Sequence, residues 1–288
     1  MTDRLRAAAA VIFVIFLGGL LFAQAPGRSA NPKGMRVFIW AGPKTHGPGQ
    51  HDYPLFLADW SKLLTEKGAS AVDGALHPPT SADLERTDVV VIYVGDAGYL
   101  TDAQKAGLEA YVRRGGGLVA LHDSICGPDP AYWSSLLGGA KKHGEVNFTL
   151  EAPVRYAVVD KANPIMKDMS DLTLWDEAFF LMTWARNPGI QVLATNQIYP
   201  TRSAGDHKGE VVPQIWTYEH TLPGGQPARA FVWMQGHTYD NFNNWQIQRT
   251  LLRGIAWAAK RPVDELVDYV APARPAPSGR DARTAGPA

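Results

Sequence analysis

The sequence Asp88-Val-Val-Val-Ile-Tyr-Val94 is an unbroken apolar run, which is typical of a β-strand buried on both faces. A helix is predicted to follow, with Thr101 as its N-cap and its end near Arg114. Three glycines then interrupt the chain, and Leu118-Val-Ala-Leu121 predicts a second buried strand. Two such strands joined by a helix indicate parallel pairing, because the connecting helix crosses over one face of the sheet.

The flanking segments continue this alternation. Arg36-Val-Phe-Ile-Trp40 predicts a strand, and residues 53–67 have the apolar spacing of a helix. Further strands are predicted at 154–159, 190–194, 214–218 and 230–234, and a long amphipathic helix at 243–260. Since the later strands follow one another closely, they favour mixed or antiparallel edges. We therefore expect a single, doubly wound α/β domain with a mostly parallel sheet and added edge strands.

The N-terminal segment has the pattern of an export signal. Arg4 and Arg6 precede an apolar stretch at 7–23, and Ala23-Gln24-Ala25 has the small-x-small form of a cleavage site. Pro26 disfavours cleavage, so a retained membrane anchor is the alternative. Either form places the protein in the periplasm or outside the cell. The predicted organisation is a signal peptide or anchor at 1–25, a linker at 26–34, a folded domain at 35–269 and a disordered Pro/Ala-rich tail at 270–288.

Composition excludes several classes of function. Lys plus Arg and Asp plus Glu both number 28, so we expect no nucleic-acid partner, and membrane contact only through a retained N-terminal segment. Neither Gly-x-Gly-x-x-Gly nor a phosphate loop is present, so no nucleotide cofactor is expected. The segment 121–127 contains Ser124 and Cys126 but no Gly-x-Ser-x-Gly motif, which argues against a covalent acyl intermediate.

Histidines concentrate at the ends of the predicted strands or beside glycines: His46, His51, His122, His143 and His237. In a doubly wound sheet, ligands bind at the carboxyl ends of the strands. We therefore expect these imidazoles to meet in one polar cavity. Two acidic candidates, Asp176 and Glu177, interrupt an aromatic run at 174–181, where an ionised carboxylate needs a partner.

Imidazole together with carboxylate is the ligand set of zinc, manganese or ferrous iron. We predict that His122, His143 and His237 hold a divalent metal. Glu177 is predicted as a further ligand or a catalytic base, with His46 as the acid–base partner. The structural alternatives are satisfied core histidines and, for Glu177, an ion pair with a nearby cation.

Substrate contacts are predicted near the same strand ends. Trp40 and Trp184 are candidates for stacking against a sugar ring. His51 and Asp240 are candidates for polar contacts, although His51 could equally cap the helix that follows it.

Five motifs occur here in a characteristic order: His46-Gly-Pro-Gly-Gln-His51, Gly115-Gly-Gly-Leu-Val-Ala-Leu-His122, Asn163-Pro-Ile165, Asp176-Glu177, and Gly236-His237 followed by the helix at 249–258. In this order they resemble the trehalose-utilisation (ThuA-like) domain family over residues 35–261. The resemblance implies a flavodoxin-like fold of the class I glutamine amidotransferase type, without the nucleophilic cysteine. It also implies a role in carbohydrate metabolism, notably with sugars oxidised at the 3-position.

The resemblance places the recurring polar residues of the family at His46, His122, His143, Glu177 and His237. Asp123-Ser124 departs from the small or aromatic residues common in the family after the histidine, which bears on substrate identity. Two functions remain open. One is an exported enzyme that acts on keto-sugars or 3-keto-glycosides by metal-assisted elimination, hydrolysis or isomerisation. The other is a non-catalytic carbohydrate-binding or accessory module; in both, the partner is a small carbohydrate.

Overall fold

The computed structural model describes residues 34–186 and 189–270. The predicted signal segment and nearly all of the predicted linker and tail lie outside these ranges. Within them, no helix is both long enough and apolar enough to cross a membrane.

The described residues form one α/β domain with a large sheet. Its strands are β1 Arg36–Ala41, β2 Ala71–Ala75, β3 Val89–Tyr93, β4 Gly117–Leu121, β5 Cys126–Gly127, β6 Gly139–Lys142, β7 Ala152–Val158, β8 Leu172–Asp176, β9 Thr183–Trp184, β10 Ile190–Gln197, β11 Val211–His220 and β12 Ala228–Trp233. Its α-helices are α1 Tyr53–Glu66, α2 Ser81–Glu85, α3 Asp102–Arg113, α4 Pro130–Leu137 and α5 Trp245–Ala258.

The large sheet has nine strands in the order β2-β1-β3-β4-β12-β11-β10-β7-β8, and a small sheet has the order β5-β6-β9. Strands β2, β1, β3, β4 and β12 pair in parallel. From β12 outward, β11, β10, β7 and β8 pair antiparallel. The sheet is therefore mixed, and the expectation of a mostly parallel sheet does not hold. In the described part of 152–233 no α-helix separates the strands, and antiparallel neighbours do not need such a crossover.

Helices cover both faces of the large sheet. Along β3, Val89 and Val91 pack into one core layer with residues of α1 and α5. The alternate residues Val90 and Ile92 pack into a second layer with residues of α2, α3 and α4. Burial on both faces explains why this strand reads as a continuous apolar run rather than an alternating one.

The strand directions place several chain segments at one edge. Strands β1, β4 and β12 are parallel, so their carboxyl ends lie together. Four successive antiparallel pairings separate β12 from β8, so β8 runs in the same direction as β12. The residues that follow these four strands therefore emerge at the same edge of the sheet.

The predicted N-cap of α3 is present. The Thr101 side chain accepts a hydrogen bond from the Gln104 backbone N–H, and the Gln104 side chain accepts one from Thr101 N–H. We expect Thr101→Ala to lower the free energy of unfolding by about 1 kcal/mol, because the helix loses a partner for an orphan N–H. Denaturant unfolding measures this change. The control Thr101→Ser keeps the hydroxyl, and an equal loss in both variants would contradict the capping role.

Candidate functional site

Four side chains converge at the shared edge of the large sheet. His51 lies in the loop between β1 and α1, His122 directly follows β4, Glu177 directly follows β8, and His237 lies in the loop after β12. Each of them offers one ligand atom, and these four atoms lie within 4.8 Å of one another. The three histidines are buried, and Glu177 is nearly so.

The donor atoms are close enough to share one cation. His51 Nε2 lies 3.0 Å from His122 Nε2 and 2.9 Å from His237 Nδ1. Glu177 Oε2 lies 3.3 Å from His237 Nδ1 and 3.8 Å from His122 Nε2. These separations are near the roughly 3.3–3.6 Å expected between tetrahedral ligands about 2.0–2.2 Å from zinc.

Supporting contacts fix which ring nitrogen of each histidine faces the centre. His122 Nδ1–H donates to the Met234 carbonyl at 3.1 Å, and a carbonyl only accepts, so the neutral ring presents an Nε2 lone pair to the cluster. On the far side of His237, Nε2 lies 3.5 Å from Glu151 Oε1. His51 Nδ1 contacts the hydroxyls of Tyr53 at 3.0 Å and Thr45 at 3.1 Å. Partners of this kind orient metal-binding imidazoles.

Burial shapes the charge of the cluster. Burial, together with the neighbouring His122, lowers the pKa of His51 to about 2, so this ring is neutral at physiological pH. Burial also opposes charge on His237, but the hydrogen bond and charge of Glu177 outweigh it and raise the pKa of His237. His51 is therefore already in the neutral form that binds a metal. His237, hydrogen-bonded to Glu177, would release its proton when a metal cation binds.

Asp176, the residue before Glu177, ties two of the four donors together. Its carboxylate is fully buried and accepts hydrogen bonds from the backbone N–H groups of Glu177 (2.8 Å), Gly236 (3.2 Å) and His237 (3.0 Å). It also accepts one from Asn241 Nδ2 at 2.8 Å. Asp176 thereby joins the end of β8 to the loop after β12.

Three histidines of the site have left-handed backbone conformations, which non-glycine residues rarely adopt: φ is 61° at His46, 44° at His51 and 51° at His122. Such conformations cost free energy and cluster at functional sites. Two of the three, His51 and His122, contribute a ligand atom to the four-donor cluster.

His46 lies at the exposed rim of the cluster. Its ring centroid is 3.9 Å from that of His51 and 5.5 Å from that of His237. Its Nδ1 lies 3.1 Å from Thr45 Oγ1, and the side chain is open to solvent. His46 is therefore the imidazole of this group that an incoming molecule meets first.

The structure does not bring His143 to this cluster. His143 follows β6 of the small sheet, is half exposed, and contacts Asp96 Oδ1 through Nδ1 at 2.9 Å. The predicted metal ligands His122 and His237 do lie together, with Glu177. His51, predicted only as a substrate contact or a cap, contributes the fourth donor atom.

The remaining predicted substrate contacts are dispersed. Trp40 is buried in a core layer at the end of β1. Trp184 is half-buried, with its ring 5.1 Å from that of Trp216, and Asp240 is exposed in the turn at Tyr239–Asn243. The sequence pattern marked Asp176 as an acidic candidate but did not reveal its joining role, nor the contacts of Tyr53 and Glu151. The position of Asp176 next to Glu177, inside an aromatic run, is the sequence feature that pointed to this residue.

Comparisons with known proteins agree with this fold. The family model described as trehalose utilisation matches residues 36–258. A ThuA-like protein from Parabacteroides merdae is 18% identical with a TM-score of 0.59, covering 79% of this chain and 90% of that one. A second, from Bacteroides uniformis, is 17% identical with a TM-score of 0.56, covering 81% and 95%. No curated protein matches the sequence.

The joining role of Asp176 leads to a stability prediction. We expect Asp176→Ala to lower the free energy of unfolding by about 3 kcal/mol, because it leaves several buried N–H donors without an acceptor. Denaturant unfolding of this variant and of Asp206→Ala, a change at an exposed aspartate, measures the difference. Equal stability of the two variants would contradict the assigned role.

Proposed function

Because the chain belongs to the trehalose-utilisation (ThuA) family, a family of carbohydrate metabolism, we propose that it is an enzyme that binds a divalent cation and acts on a keto-sugar. The observation that carries this proposal is the convergence of three imidazole nitrogens and one carboxylate oxygen at the carboxyl edge of the sheet. In the neutral form of His122, Nδ1–H donates to the Met234 carbonyl, and the Nε2 lone pair points toward the other three donor atoms.

The donor set fits a divalent cation. Without a cation, His51 Nε2 can donate its single hydrogen to only one of its two close nitrogen neighbours, which lie at 3.0 and 2.9 Å. A cation in the centre would accept a lone pair from each of the four ligand atoms at once. Nitrogen and oxygen ligands of this kind suit zinc, manganese or ferrous iron. Such an ion supplies Lewis-acid stabilisation of negative charge that develops on a sugar oxygen.

His46 and Glu177 take different roles in this proposal. Glu177 is confined between His122 and His237, so we assign it as a ligand. His46 is exposed at the rim and has room to approach a substrate, so we assign it as the acid–base residue.

A ketone at C3 of a glycoside acidifies the hydrogen on C2. His46 would remove that proton, a C1–C2 double bond would form as the C1–O bond breaks, and the proton would pass to the departing oxygen. Elimination ends there, and hydrolysis adds water to the product. In isomerisation the C1–O bond would stay intact, and the proton would return to C3 of the enediolate, which moves the ketone to C2. The proposed substrate is therefore a 3-keto-glycoside. We further propose export, on the strength of Arg4, Arg6 and the apolar segment 7–23.

Metal binding is the first prediction of this proposal. We expect zinc to raise the melting temperature of the wild-type protein and EDTA to reverse the rise, because a ligand of the native state stabilises it. His122→Ala should weaken zinc binding by about 100-fold or more, as measured by calorimetric titration, since losing a mere supporting group costs up to about 100-fold. His77→Ala, an exposed histidine outside the cluster, is the matched control. Equal zinc affinity in both variants would contradict the site.

The role of His46 gives a separate prediction. We expect His46→Ala to keep the zinc affinity of the wild type while kcat on a 3-keto-glycoside falls by about 100- to 10,000-fold, the range for loss of a general acid–base group. Product formation is followed by chromatography. Full turnover in this variant would contradict the assignment. Tight sugar binding with no product from the wild-type protein would favour the carbohydrate-binding module instead.

A further inference from the structure

A second group of metal-binding residue types lies apart from the four-donor cluster. Asp96 follows β3, Cys126 belongs to β5, and His143 follows β6. One ligand atom of each lies within 4.8 Å of the others, and His143 Nδ1 is 2.9 Å from Asp96 Oδ1. Cys126 is the only cysteine of the chain, and it is buried.

The backbone holds these three residues in place. Asp96 N–H donates to Asp123 O at 3.2 Å, Gly98 N–H to Cys126 O at 2.9 Å, and His143 N–H to Gly127 O at 3.0 Å. Gly98 and Gly127 approach so closely that a Cβ on either would lie 2.7 Å from the Cα of the other. Asp96 has φ of 55°, a conformation that few non-glycine residues adopt. The group is therefore built by main-chain contacts between loops of distant sequence.

We propose that Asp96, Cys126 and His143 form a second cation site, selective for zinc or a metal of similar softness. Thiolate, imidazole and carboxylate are the three ligand types that zinc takes from proteins. The thiolate distinguishes this site from the first, whose donors are nitrogen and oxygen alone. The two sites share no residue, so this proposal does not depend on the proposed function.

The charges of the group suit a divalent ion. Asp96 and an ionised Cys126 together carry two negative charges, which balance those of the metal. The nearby Lys141 is paired with Asp123, whose Oδ1 lies 2.7 Å from Lys141 Nζ. Burial raises the pKa of the Cys126 thiol, so binding of the metal must displace its proton, as it does from zinc-binding cysteines generally.

The arrangement leaves one coordination position for a ligand. Asp96, Cys126 and His143 all line a cavity of about 350 Å³. Three protein ligands with a fourth position open to a cavity are typical of catalytic and ligand-binding zinc sites, whereas structural sites are closed. Asp123 also lines this cavity, and its Oδ2 lies 3.9 Å from His51 Nε2 of the first cluster. A small oxygen-donor ligand such as a sugar hydroxyl could therefore occupy the fourth position beside the proposed catalytic cluster.

Cobalt titration of the full chain tests this site, because a thiolate bound to Co²⁺ gives a near-ultraviolet charge-transfer band that nitrogen and oxygen ligands do not. We expect the wild-type protein, held reduced by a phosphine, to develop this band and to lose it when zinc is added. Cys126→Ser should lack the band, and His122→Ala, altered only in the first cluster, should keep it.

His143→Ala is the second variant, because His143 is half exposed and its replacement leaves the core intact. We expect this variant to bind cobalt, as followed by the thiolate band, with an affinity lower by about tenfold or more. Losing even a residue that only supports a metal ligand costs about 10- to 100-fold in affinity. Absence of the band in the folded wild-type protein would overturn the proposal. An unchanged affinity in His143→Ala would overturn it too, since Cys126 would then bind cobalt without the other two residues.

Discussion

The carboxylate of Asp176 is buried, and the candidate site depends most on the hydrogen bonds that this carboxylate accepts. It accepts backbone hydrogen bonds from Glu177, Gly236 and His237 at 2.8–3.2 Å. Burial raises its pKa, and these hydrogen bonds act in the opposite direction, since they stabilise the ionised carboxylate in the protein interior. Because Asp176 ends β8 while Gly236 and His237 follow β12, one side chain joins the antiparallel half of the sheet to its parallel half at the place where the four donor atoms meet.

The parallel half of the fold was predictable from sequence, because β3 and β4 are buried on both faces and read as unbroken apolar runs. The structure confirms an α/β domain with helices on both faces. The structure differs from the prediction where the apolar pattern of a strand is weak. Strand β2, Ala71–Ala75, lies at the exposed sheet edge and contains Asp73 and Gly74, so it carries no apolar pattern. The antiparallel extent of the sheet was underestimated, since strand β8, which overlaps the start of the aromatic run at 174–181, was not predicted.

Part of the site was predictable for a geometric reason. His122, Glu177 and His237 each follow a strand of the large sheet, and strands that run in one direction bring such residues together. His143 also follows a strand, but that strand belongs to the small sheet, and the ring contacts Asp96 instead of the four donors. The ring of His51 lies in the cluster, where its backbone is left-handed and its Nδ1 contacts the Tyr53 hydroxyl. No sequence pattern reveals either feature. Asp176 acts on backbone groups about 60 residues away, so its role needed the fold.

A crystal structure of the zinc-loaded protein, with data collected on both sides of the zinc absorption edge, shows whether the four donor atoms bind a metal ion. We expect an anomalous peak bonded to His51 Nε2, His122 Nε2, His237 Nδ1 and Glu177 Oε2 at about 2.0–2.2 Å. A zinc-loaded crystal with no peak among these four atoms, and the histidines still in mutual contact, would contradict it.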